Sequence, residues 1–136
     1  MSEMKNFYII RSSWLFGKNG KNFVNTIIKL ARIKNVIDVV NDQFGKPTYT
    51  KDLAEKTKEI IKNDFGKYHI TNEGICSWFE FAKEIMKQKG LKTKINPISS
   101  IELKRKAKRP KYSVLTNTKI KPLRHWKLAL RDYFKN

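Results

Sequence analysis

The chain has 136 residues, and its 40% hydrophobic and 12% aromatic content is enough for one folded domain with a modest core rather than a disordered segment. Thirty Lys+Arg against 12 Asp+Glu give a formal net charge of +18, which suits a nucleic acid, a phosphorylated ligand or neither. There is no apolar run of the roughly 20 residues that span a bilayer; the opening MSEMKNFYII lacks a signal-peptide core and Cys76 is the single cysteine, so an internal disulfide is excluded and a reducing cytoplasm is expected.

Phe7-Tyr8-Ile9-Ile10 is a run of β-formers apolar on both faces, which predicts a buried parallel strand. Ser12, Ser13 and Trp14 fall at its C-terminal end, where open α/β sheets bind ligands; Trp14 also suits a core aromatic. After a turn at Gly17-Lys18-Asn19-Gly20, the spacing of Phe23, Ile27, Leu30 and Ala31 predicts a helix from Lys21 to about Lys34. Asn22 in its first turn could meet a ligand phosphate or cap the helix.

The stretch IDVVNDQFGKPTYTKDLAE, residues 37–55, is the centre of the pattern. An apolar run breaks into Asn41-Asp42-Gln43-Phe44-Gly45-Lys46-Pro47, stiffened by glycine and proline and rich in hydrogen-bonding groups. Such a loop holds a polar ligand, or it satisfies its own backbone in a rigid turn. A helix from about Lys51 to Asn63 and a strand over 67–72 follow. His69 has no carboxylate or nucleophile nearby and is read as structural, and with only His125 besides it no zinc spacing exists.

Ser77-Trp78-Phe79-Glu80 is a capping box, followed by an apolar stripe of Trp78, Phe81, Ala82, Ile85 and Met86 that Gly90 ends. Thr93 to Ile98 predicts a short strand, at an edge because of Pro97. Ser99-Ser100-Ile101-Glu102 is a second capping box, expected to open a brief helix. Lys104-Arg105-Lys106-Ala107-Lys108-Arg109 is a basic cluster in an irregular stretch that reaches Pro122, and Trp126, Leu130, Tyr133 and Phe134 share one face of a C-terminal helix. Alternating strands and helices indicate one α/β unit.

YIIRSSWLFG followed by NFV, then VVNDQFGKPTYTKDLA, YHITNEGICSWFEFAKEI and RPKYSVL closely resemble, in order and spacing, the C-terminal part of dTDP-4-dehydrorhamnose reductases. These are extended short-chain dehydrogenase/reductases that make dTDP-L-rhamnose for cell-surface polysaccharide. The resemblance implies two strands of a large Rossmann-like sheet plus a small substrate-binding α/β subdomain, the sheet being incomplete. It places Ser12 and Ser13 beside the nicotinamide end of NADPH or NADH, and Trp14 against the sugar. It brings Asn22 and Arg109 to the diphosphate of a dTDP-sugar, has Gln43 shape the pocket, and sets Tyr112 nearby. Ser12 stands where the family commonly has threonine, and Lys46 where it commonly has a small residue.

The family's glycine-rich cofactor turn is not found in this sequence; Gly17 and Gly20 give only G-x-x-G, with Phe23 where a third glycine would fall. Its Y-x-x-x-K proton-donor pair is missing as well, since none of Tyr8, Tyr49, Tyr68, Tyr112 or Tyr133 has lysine four positions on. Hydride transfer needs a positioned cofactor and a proton donor. Residues 1–136 are therefore expected to be a substrate-binding portion, inactive and binding no cofactor alone, whose partner is an N-terminal Rossmann half. Dimerisation or strand exchange through the exposed 7–16 edge is expected without that half. Two other classes remain: a non-catalytic subunit similar to the methionine adenosyltransferase β subunit, and a basic nucleic-acid-binding domain.

Overall fold

Periodicity, helped by side-chain caps on two of them, fixes the four helices among the described residues. Asn22 caps α1 (Phe23–Ile33), its side-chain oxygen accepting from the Asn25 N–H. Helix α2 spans Thr50–Ile60. The Ser77–Glu80 box opens α3 (Trp78–Lys89), and Gly90, at φ 63° in the left-handed region, closes it. Helix α4 is Trp126–Lys135. The computed structural model describes residues 5–103 and 107–135, so Lys104, Arg105 and Lys106 of the basic cluster lie outside the described residues.

Strands pair two by two among the described residues. β1 (Tyr8–Arg11) runs parallel to β6 (Gly66–His69), and β2 (Leu15–Phe16) parallel to β5 (Thr48–Tyr49). β3 (Val36–Val40) runs parallel to β8 (Lys94–Ile98), placing Pro97 opposite Val39, while β4 (Phe44–Gly45) is antiparallel to β7 (Cys76–Ser77). As expected, β1 is parallel, but its Tyr8, Ile9 and Ile10 are only half-buried. An apolar run needs a layer on each face to be fully buried, and β1 has only one neighbouring strand among the described residues. The second capping box forms, with Glu102 accepting from the Ser99 N–H and donating its own N–H to the Ser99 hydroxyl, yet residues 101–103 make a turn and no helix.

Two cores follow from this pairing among the described residues. The larger gathers Phe16, Val24, Ile27, Ile37, Phe81, Ile85, Trp126 and Leu130 between α1, α3, α4 and β3, each large side chain adding about 2 kcal/mol of burial. The smaller holds Ile60, Tyr68 and Ile70, with Tyr8, Ile10 and Leu53 against them, beneath β1 and β6. Between the two, buried Asn72 accepts the Tyr49 N–H at 2.8 Å and donates to Asp52 at 2.7 Å and to the Arg124 carbonyl at 3.1 Å. Arg124 closes the knot with a two-pronged pair to Asp52, at 2.6 and 2.8 Å, and a bond to Asp132 at 2.9 Å. No helix among the described residues is long and apolar enough to cross a membrane.

Candidate functional site

The loop after β3 is where the elements converge. Asn41 accepts from the Ser77 hydroxyl at 3.0 Å, which ties the loop to the N-cap of α3. Asp42 accepts both the Ser100 N–H, at 3.0 and 3.1 Å, and the Ser100 hydroxyl at 2.5 Å. Gln43 donates its amide to the same hydroxyl at 2.7 Å. Phe44 forms a parallel bridge with Tyr112, its N–H donating to the Lys111 carbonyl at 2.7 Å and its carbonyl accepting the Ser113 N–H at 2.9 Å. The side chains of Asn41, Asp42 and Gln43 thus reach partners distant in sequence, Ser77 and Ser100. The hydroxyl and N–H of Ser100 hold the Asp42 carboxyl below its ordinary range.

This convergence encloses a cleft of about 610 Å³. Its apolar walls are Phe23, Ile27 and Leu30 of α1, Ile37, Val39 and Val40 of β3, and Trp14 and Trp78; Thr26, Asp38, Gln43, Arg109 and Ser113 supply the polar groups. Arg109 is the one cation lining it among the described residues. An apolar wall with a few polar groups and a single permanently charged fork suits a ligand that joins rings to an anionic centre.

The structure thus brings Trp14, Gln43 and Arg109 to one cleft. Tyr112 lies just outside it, exposed and stacked on Phe44 with centroids 5.1 Å apart. Asn22 is the helix cap: its oxygen accepts from Asn25 at 3.0 Å and its amide donates to the Gly17 carbonyl at 2.8 Å, so both ends are engaged within the chain. Ser12 and Ser13 lie past the C-terminal end of β1. The Ser13 hydroxyl donates to the Lys46 carbonyl at 2.9 Å, while the Ser12 hydroxyl is buried and unpartnered among the described residues.

Sequence reasoning left out Phe23, Trp78, Asp38 and Ser100. In sequence Phe23 and Trp78 fit core stripes, although an aromatic at the first position of a capped helix projects towards the preceding loops. Ser100 has a local signal only as part of a capping box, and its pairing with Asp42 spans 58 positions. A second cleft, about 410 Å³ between α2 and residues 122–124, is built around the Asp52–Arg124–Asp132 pairs and is structural. No group of three His, Cys, Asp or Glu among the described residues could hold a metal ion, and burial pushes the Cys76 thiol well up, away from the reactive thiolate.

Residues 1–136 match the family described as the RmlD substrate binding domain. The chain is similar to the spore coat polysaccharide biosynthesis protein SpsK of Bacillus subtilis (strain 168), 48% identical over 133 residues, covering 95% of this chain and 47% of that protein. It is 37% identical over 139 residues to the dTDP-4-dehydrorhamnose reductase of Streptomyces griseus, covering 93% of this chain and 46% of that one. The crystal structure of dTDP-4-dehydrorhamnose reductase from Bacillus anthracis str. Ames in complex with NADP matches with a TM-score of 0.89 at 39% identity, over 96% of this chain and 48% of that one. The chain spans about half the length of the curated relatives it matches. Its fold, incomplete sheet included, is that of the C-terminal part of an extended short-chain dehydrogenase/reductase. The chain belongs to the RmlD substrate binding domain family.

Proposed function

We propose that this chain is the sugar-nucleotide-binding portion of a dTDP-4-dehydrorhamnose reductase, and that it does not reduce the sugar by itself. The observation that carries this reading is the meeting of Trp14, Gln43 and Arg109 at one cleft from three separate parts of the sequence. Arg109 would take the diphosphate by charge-assisted hydrogen bonds. The aromatic wall would face the sugar, and Gln43, pinned by Ser100, would hold the pocket's shape. Asn22 and Tyr112 would act at second hand, by fixing α1 and by packing on Phe44.

The nicotinamide cofactor of the family fits what this chain offers at one point. A buried hydroxyl without a partner needs one, and Ser12 has such a hydroxyl. Bound NADPH or NADH supplies the hydride; Ser12, and less freely Ser13, would contact its nicotinamide end. The turn for its pyrophosphate and the Y-x-x-x-K proton donor are not in this sequence. An N-terminal Rossmann half would bring both and complete the β1–β6 sheet. Without it, a second copy would cover that edge. The single cysteine supports a reducing, cytoplasmic setting.

The test is NADPH oxidation with dTDP-4-dehydro-L-rhamnose, by the chain alone and with a separately made N-terminal half of a relative. No oxidation alone and restored oxidation with the half is the expected result. Turnover by the isolated chain would overturn the reading.

A further inference from the structure

The aromatic wall of the cleft has a feature that its composition does not reveal. The Trp14 and Trp78 rings stack with centroids 3.5 Å apart and planes within 11°. On Trp14, a Cβ added to Gly45 would fall inside the indole's van der Waals envelope, nearest Cε2 and 2.7 Å from both Cζ2 and Nε1. An approach in the ring plane would reach those two flanking atoms before Cε2, so Gly45 lies over a face. A ring stacked at 3.5 Å leaves no room for a backbone on the same side. Gly45 and Trp78 therefore cover opposite faces of one indole. Phe23 packs on Trp78 at 4.5 Å, tilted by 52°, and extends the stack into the core.

Two further observations fix this arrangement. Trp14 has φ 48°, a strained left-handed conformation for a bulky residue, which persists only where the surroundings impose it. Trp78 is the first residue of α3, held by the Ser77–Glu80 capping box whose serine also reaches Asn41 in the cleft loop.

We infer that Trp78 is a positioning residue of the sugar end of the cleft: with Gly45 it clamps Trp14 so that the ligand meets the rim of the indole, not its face. This rests on the sugar-nucleotide reading above and changes one element of it, the manner in which Trp14 contacts the sugar. A rim contact orients a pyranose by its hydroxyls and by shape, where a face would accept any flat apolar surface. The clamp also keeps Trp14 from turning into the cleft.

The test uses the full chain, dTDP and dTDP-L-rhamnose as probes, and two readouts. Stacked indoles give an exciton couplet in circular dichroism, so the free chain should show one that Trp14→Phe and Trp78→Phe each abolish and Trp126→Phe leaves. The couplet should survive saturation with dTDP-L-rhamnose; its loss on binding would mean that the sugar takes a face of Trp14, and would overturn the inference. By calorimetry, Trp78→Leu should weaken dTDP-L-rhamnose about fivefold and leave dTDP unchanged, with Trp78→Phe recovering most of the loss. Equal weakening of both probes would reduce Trp78 to a fold residue and also overturn it. A wild-type chain that shows the couplet but binds neither probe would overturn the sugar-nucleotide reading itself, and the inference with it.

Discussion

Asp42 and Ser100, 58 positions apart, are joined by three hydrogen bonds, and the Gln43 amide donates to the same serine hydroxyl. Ser100 thus fixes both residues of the loop, through its backbone N–H and its hydroxyl. Ser100→Ala removes the hydroxyl and frees the buried Gln43 amide. The expected cost is about 1–2 kcal/mol of stability, read by urea denaturation, with weakened dTDP-sugar affinity. A neutral effect on both would show that the loop is held by its backbone alone.

The same pair sets an acid limit. The Ser100 donors hold the Asp42 carboxyl below its ordinary 3.8, so the folded state favours the carboxylate. The resulting stability is fully present above that ordinary value and is lost as pH falls through the lowered one. Denaturation curves should show wild type converging on Asp42→Asn as pH drops below about 4, with wild type the more stable at neutral pH.

Arg109 is exposed and outside both cores, so its replacement should leave the fold intact. Arg109→Ala should weaken dTDP about tenfold, the worth of a charge-assisted hydrogen bond. Arg109→Lys should restore little of that, because a point charge lacks the fork. Calorimetric titration decides it; full recovery by lysine would mean that the contact is simple charge attraction.

Lys46 is 6% exposed and its ammonium meets Glu73 at 3.4 Å. Glu73 is 39% exposed, so losing the ammonium leaves a carboxylate that water still solvates, and the half-exposed pair contributes little. Lys46→Met, which keeps the stem, should therefore change stability by less than about 1 kcal/mol. Lys46→Ala should cost about 2 kcal/mol through the cavity it leaves. Thermal melts of the two variants separate packing from charge.

Asn72 is fully buried and bonds to Tyr49, Asp52 and Arg124 at once. Asn72→Ala leaves a buried N–H and a carboxylate short of partners, a loss of about 3 kcal/mol or more. A drop in melting temperature under about 5 °C would show the knot to be redundant.

What the sequence revealed was local. The Ser77–Glu80 box, the stop at Gly90 and the stripe Phe81–Ile85 act within one or two turns, and helix α3 follows from them directly. Asn22 could be recognised as a cap, but whether it served a ligand needed the Gly17 carbonyl in view. The cleft was only partly legible. Residues in the matched motifs could be named by resemblance, whereas Trp78, Phe23 and Ser100 acquire their places through contacts spanning dozens of positions. Apolarity on two faces predicts a buried β1 but does not report which neighbours are beside it, and its Tyr8, Ile9 and Ile10 are half-buried.

The most direct test is a titration with dTDP-L-rhamnose followed by the indole N–H signals of the three tryptophans and the Arg109 side chain in nitrogen-correlated NMR spectra. Saturable shifts at Trp14, Trp78 and Arg109, with Trp126 in the core unmoved, are the predicted result. No saturable shift, or shifts confined to Arg124 and the α2 cleft, would contradict it.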